Sequence, residues 1–515
     1  MILGGKHQGL DREAGATRTT LDGLFRRAGV RRPDALALVD PPNRESFTDG
    51  APRRLTYAEV DRAISALAAR MRRLRLQTDL VVAMQLPNTV ESVIALLGVL
   101  RAGMIAVPLP LLWRQQEMVA ALGRIGAKAI VTSSRIGSAA HAEIAMQVAA
   151  ELFPIRYVCS FGHDLPDGVV PLDELFAPGQ VDFVQPPARP GNAAAHVATV
   201  SFDVGADGLI PVARNHMELI AGGLAAYLES GAALDTTILS AIPLGSFAGI
   251  ALTVLPWLLS GGTLALHHAF DPDTFAAQCR TQDGGTLVLP GSTLSPLTEV
   301  GHLGDQTKPI IALWRSPERL AGNAPWRGEA ALVDVASFGE AGLLASRRGA
   351  DGMPSPIPCG SIGAPRGAAG AITVVEALRT GAGMLALRGP MVPAHAFPPG
   401  AERGREPHLT VDALGFVDTG FACRLERDTN TLTITGPPGG LTTIGGYRFR
   451  QRDVDGQVAS VDPDATIVAL PDAYLDARLA GSAPDRAATA KKLHARGANP
   501  LFAGAFRPRG SANAA

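Results

Sequence analysis

Between residues 81 and 289 the chain alternates short apolar runs with helical patterns at close spacing, and this alternation restricts the fold more than any other feature. Strands are expected at 81–85, 103–109 and 128–132, with helices at 88–101 and 117–125. The pattern resumes after a Pro-rich stretch at 186–190. Strands are then expected at 197–202, 238–242, 263–267 and 286–289, and helices at 217–228, 249–259 and 271–280. Short apolar strands joined through helices predict a parallel sheet covered on both faces. Upstream, a short strand at 55–57 turns into a helix reaching about residue 74. Thr56 is a plausible N-cap there, with Glu59 three positions on completing a capping box. Residues 1–50 read as a loose lead-in with one helix near 20–28. From residue 360 the texture changes to short strands at 371–375, 384–388 and 431–435, separated by Gly and Pro as in a distorted β-barrel. A last small domain is expected from about residue 436.

Composition narrows the function. A chain of 515 residues is too long for one ordinary core, so roughly two or three subdomains are expected. Hydrophobic residues at 46% and charged residues at 18% fit a globular fold and exclude wholesale disorder. A formal net charge of -1 gives no electrostatic case for nucleic acid or an anionic membrane. The apolar stretch at 250–259 is too short to span a bilayer and contains Pro256. The N-terminal residues lack the apolar core of a signal peptide, so a cytoplasmic protein is expected. Cys159, Cys279, Cys359 and Cys423 are scattered, which argues against zinc or a disulfide framework. The lysines are Lys6, Lys128, Lys308, Lys491 and Lys492, and arginine supplies the other basic side chains. With the alanine richness, this points to a GC-rich bacterial genome.

Three stretches carry a family resemblance. The first is Leu55-Thr56-Tyr57, then 82–88, 98–103 and Val107-Pro108-Leu109. The second is 239–244, followed by Gly249 and 258–262. The third is Arg388-Gly389-Pro390, then 415–420, 432–436 and Gly445-Gly446-Tyr447. In this order they resemble the adenylate-forming superfamily of acyl-CoA synthetases and aryl-acid ligases. The resemblance implies an α/β large domain over 51–436, made of two α/β subdomains and a distorted β-barrel, and a small, shortened α+β C-terminal domain over 437–515. It also implies a two-step reaction. A carboxylate attacks the α-phosphate of Mg·ATP to give an acyl-adenylate, the small domain rotates, and a thiol takes the acyl group.

Several positions that the resemblance assigns to ATP are changed. The phosphate loop should be rich in hydroxyls and carry a lysine. Here residues 203–216 retain Gly205 and Gly208 and end in Arg214-Asn215-His216, without the lysine. Asp203 and Asp207 would oppose a triphosphate. Two readings stay open: a phosphate loop with Arg214 as its cation, or a turn whose glycines serve only the turn. The adenine side has Trp314, which would stack on a base or fill its place. Phe338-Gly339-Glu340 stands for the metal-binding signature, with Glu340 two positions early as a ligand for Mg²⁺. Thr419-Gly420-Phe421 replaces a ribose-gripping Thr-Gly-Asp. Pro437 and Pro438 stiffen the hinge. Arg507 or Arg509 would stand for the missing C-terminal lysine. His216, Ser246 and Phe247 are the candidate substrate contacts, and Gly205, Gly208, Trp314, Phe338, Gly339 and Thr419 the candidate nucleotide contacts. The expected cofactors are ATP and Mg²⁺ if the site works, and none if it does not. The expected partners are an aryl or acyl carboxylic acid, CoA or a carrier-protein thiol, and a second copy or an active paralogue. The leading expectation is a degenerate acid binder or partner protein; the alternative is an active acid ligase with an atypical ATP site.

Overall fold

The computed structural model describes residues 18–507, except 178, 180–181, 282–284 and 304–307. Three sheets build the large domain. The first runs in the order Val170–Pro171, Tyr157–Phe161, Ala129–Ser133, Val81–Gln85, Ile105–Pro108, Val197–Gly205, Gly208–Asn215. Its neighbours are parallel except for the last pair, an antiparallel hairpin. The second has the order Gly342–Arg347, Leu332–Phe338, Ile310–Trp314, Thr286–Pro290, Ile238–Ser240, Leu264–Leu266, Leu36–Val39, Arg54–Thr56. It is parallel inside and antiparallel at both edges. The third is antiparallel throughout and spans Ile357–Pro358 to Thr431–Gly436.

Burial explains the composition of the helices. Every residue of Val90–Arg101 is buried, so this helix is apolar nearly all round rather than on one stripe. Gly98 lets it approach the helix Tyr57–Arg73, because a Cβ there would lie 2.8 Å from Leu67. Thr56 and Glu59 form the expected capping box at the start of Tyr57–Arg73. The helical stretch after Ser246 contains a π-helical segment, Ile250–Val254, not foreseen from its apolar pattern. Thr253 donates its hydroxyl to the Ile242 carbonyl at 2.8 Å inside that segment.

Two expectations need correction. Residues 18–50 are no loose lead-in. The helix Leu21–Arg31 buries Leu21 and Phe25, and the strand Leu36–Val39 pairs with Leu264–Leu266. The stretch expected as an open loop after residue 202 continues as a strand to Gly205 and returns as Gly208–Asn215. Beyond the third sheet, the hairpin Leu441–Ile444 and Tyr447–Arg450 leads into Gln451–Val461, a second hairpin (Thr466–Asp472, Asp476–Ser482) and the helices Arg486–Ala495 and Pro500–Ala505. This C-terminal unit has its own small core around Val454, Val458, Leu493 and Phe502.

Candidate functional site

Three hairpins meet at one place. The first sheet contributes Asp203, the second contributes the turn Gly339-Glu340 between its last two strands, and the C-terminal unit contributes Tyr447–Arg450. Asp203 accepts from the backbone N–H of Glu340 and from Arg448 Nη1, both at 2.8 Å. Gly339 has φ +59, and a Cβ on it would fall 2.1 Å from Asp203 Oδ2. Glycine is therefore required there for conformation and for space.

Glu340 is only 5% exposed and Arg214 1%. Their side chains form an ion pair at 3.6 Å, and Arg214 also donates to the Glu340 carbonyl. The Glu340 carboxylate accepts from the Ser201 hydroxyl and from Phe247 N–H at 3.0 Å. Burial pushes the Glu340 carboxyl up, opposed first by Arg214 and then by the Ser201 hydroxyl. Burial pushes Arg214 down, and Glu340 opposes it. Removing either partner would strand the other's charge in a dry setting. The Arg214 guanidinium also lies 3.7 Å over the Phe247 ring.

The expected nucleotide and substrate contacts are mostly engaged elsewhere. Gly205 and Gly208 pair with each other across the hairpin end, and the side chains beside them do not form a hydroxyl cradle. Trp314 donates to Asp334 at 2.8 Å, and its indole covers Gly291. Phe338 and Phe421 pack edge to face with centroids 5.3 Å apart. Thr419 donates its hydroxyl to the Leu385 carbonyl at 2.8 Å. Ser246 caps a helix start by accepting from Gly249 and also accepts from Arg315 at 3.1 Å. Phe247 is enclosed, with Gly222 against its ring, and does not line an open pocket. His216 faces away, accepting from Leu21 N–H at 3.3 Å. Burial, with Arg189 nearby, holds it neutral, its pKa pushed down to about 3. Arg507 is exposed on the C-terminal unit, where its carbonyl accepts from Arg486, so it is not brought to the meeting point. Arg509 lies outside the described residues.

The structure thus brings together Gly339, Glu340, Arg214, Ser246 and Phe247 from the sequence candidates. It adds Ser201, Arg315 and Arg448, which sequence reading did not single out. Arg448 carried one usable signal: it alternates with Arg450 on a short strand, and Asp203 needed a cation.

The sequence model of the family described as AMP-binding enzyme matches residues 25–322. The chain belongs to that family. It is 27% identical to the salicyl-AMP ligase / salicyl-S-ArCP synthetase of Mycobacterium tuberculosis, over 89% of this chain and 80% of that protein. It is 30% identical to a feruloyl-CoA synthase of Amycolatopsis sp, over 47% of this chain and 44% of that protein. Among solved structures, the amide bond synthetase McbA from Marinactinospora thermotolerans superposes with a TM-score of 0.68 at 19% identity, covering 94% of both chains. Mycobacterium smegmatis MbtA, in its apo form, gives 0.61 at 22% identity, covering 94% of this chain and 90% of that one. Both likenesses show the adenylate-forming fold.

AMP-binding enzymes use ATP and Mg²⁺ and act on carboxylic acids and thiols. The residues here do not fit Mg²⁺. Both oxygens of Glu340 face the Phe247 N–H, and Oε2 also has the Ser201 hydroxyl and Arg214. Asp203 is clamped by Arg448. Among the described residues no group of three or more His, Cys, Asp or Glu is placed to hold a metal ion. Nor does any described helix have the length and apolarity to cross a membrane.

Proposed function

We propose that this AMP-binding family member does not turn over ATP, and that it acts as a carboxylic-acid binder or as a partner of an active relative. One observation carries the reading. The charges where the three hairpins meet are already neutralised within the chain, Asp203 by Arg448 and Glu340 by Arg214. An incoming triphosphate would find both arginines already engaged, and its Mg²⁺ would find no free carboxylate. Phe338 and Phe421 support the reading, since an aromatic pair stands where the family resemblance expects a ribose-gripping aspartate. The enclosed Phe247 favours the partner role over the binder role. The arginine-rich basic set and the alanine richness fit an origin in a GC-rich bacterial genome.

A second reading, an active acid ligase with an atypical ATP site, is favoured by the near full-length match to a salicyl-AMP ligase. The test is thermal melting in Mg·ATP, followed by pyrophosphate exchange into ATP with aryl and fatty acids, beside a working ligase as control. Unchanged melting and no exchange are expected. A rise that grows with Mg·ATP concentration, together with acid-dependent exchange, would overturn the proposal and establish the ligase.

A further inference from the structure

The geometry points to Asp203 as a tethered anion that fills, from within the chain, a site built for a phosphate-class oxyanion. Its carboxylate receives three N–H groups: Val204 at 2.7 Å, Glu340 at 2.8 Å and Arg448 Nη1 at 2.8 Å. These donors come from three separate hairpins. Two backbone amides and a guanidinium around one oxyanion is the arrangement that recognises phosphate and carboxylate groups. Gly339 lets the second turn close down on the carboxylate, since a Cβ there would lie 2.1 Å from Asp203 Oδ2 and 2.7 Å from Arg448 Nη1. The Phe421 ring, 5.4 Å from the Arg448 guanidinium, supports the cation from another side.

Arg448 belongs to the C-terminal unit, so the internal anion has a second effect. It holds the hairpin 441–450 against the large domain and excludes a free oxyanion from the same donors. This inference rests on the reading that the native cleft does not load nucleotide, and it explains that reading by an autoinhibitory contact. Without the carboxylate, two backbone N–H groups and a guanidinium lose their acceptor, and a diffusible oxyanion can take its place.

The test is Asp203→Ser, with inorganic pyrophosphate as the probe and chloride at matched ionic strength as control. The variant should melt below the native protein and recover as pyrophosphate is added. The native protein should respond no more than it does to chloride. The double variant D203S/R448M should lose the recovery. A folded D203S that pyrophosphate does not stabilise, or a double variant that recovers equally, overturns the proposal. Should D203S not fold, Asp203→Asn keeps an acceptor oxygen for one of the two backbone N–H groups and removes the charge. Its hairpin 441–450 should then exchange amide hydrogens faster than in the native protein, and unchanged exchange overturns the proposal. Pyrophosphate exchange by the native protein tests the functional reading separately, so either can fail alone.

Discussion

His216 is half-buried at the first turn of its helix, with a ring nitrogen accepting from Leu21 N–H, and its folded pKa of about 3 lies below the ordinary 6.5. A base with a depressed folded pKa is neutral in the native state while the unfolded chain takes up a proton. Its contribution is complete above pH 6.5 and is lost as pH falls from 6.5 towards 3. The variant His216→Gln, whose amide oxygen can still accept from Leu21, should therefore gain on the native protein in acid. Melting temperatures at neutral and mildly acidic pH check this, and a gap that does not change with pH would rule it out. His216 was expected as a substrate contact because it ends the Arg214-Asn215-His216 stretch that carries part of the family resemblance. Its true direction follows from contact with Leu21, nearly two hundred positions away, and no local pattern carries such a contact. Arg214 and Glu340 were legible as candidates, since a missing lysine and a displaced glutamate each stood out. Their mutual pairing was not legible.

The capping box at Thr56 was readable because it is a purely local device. Glu59 N–H donates to the Thr56 hydroxyl, and the Glu59 carboxylate accepts from Thr56 N–H at 2.8 Å. Thr56→Ala should cost about 1 kcal/mol, read as a lowered denaturant midpoint at unchanged slope. A variant as stable as the parent would mean that packing alone holds this helix end. The interior strands were legible for a similar reason: a buried parallel strand is a short apolar run between turns. Edge elements were harder. The strand Gly208–Asn215 carries Pro211 and Arg214 and reads as a loop, and only its pairing with Val197–Gly205 makes it a strand. The π-helical turn at Ile250–Val254 also escaped, because an apolar run does not reveal which hydrogen-bond register it takes.

At the scale of the whole molecule, the contacts by which the C-terminal unit rests on the large domain include two unequal ion pairs. One is Arg448 on Asp203, with side chains 13% and 21% exposed. The other is Arg319 on Asp476, 46% and 30% exposed, beside Ser292 donating to the Tyr474 carbonyl at 2.6 Å. Solvent screens the second ion pair, so Arg319→Ala should change stability by about 0.5 kcal/mol or less. Arg448→Ala should instead loosen the unit and speed proteolysis near the hinge at 436–441. Equal protection in the two variants would show that apolar packing, not the inner ion pair, sets the docking. That a small terminal domain follows the third sheet was expected from the order of the motifs that carry the family resemblance. How it docks was not, because the deciding pairs join residues some two hundred positions apart.

The strand Leu36–Val39 sits between Leu264–Leu266 and Arg54–Thr56. During synthesis this has a consequence of its own. A chain leaving the ribosome presents Leu38 long before Leu264, its neighbour in the finished sheet, exists. The first sheet can assemble in the meantime, while the early strand waits with one edge open to any extended segment nearby. Translation speed across the first half of the message, and the chaperones that meet it there, thus bear directly on the yield of correctly closed protein.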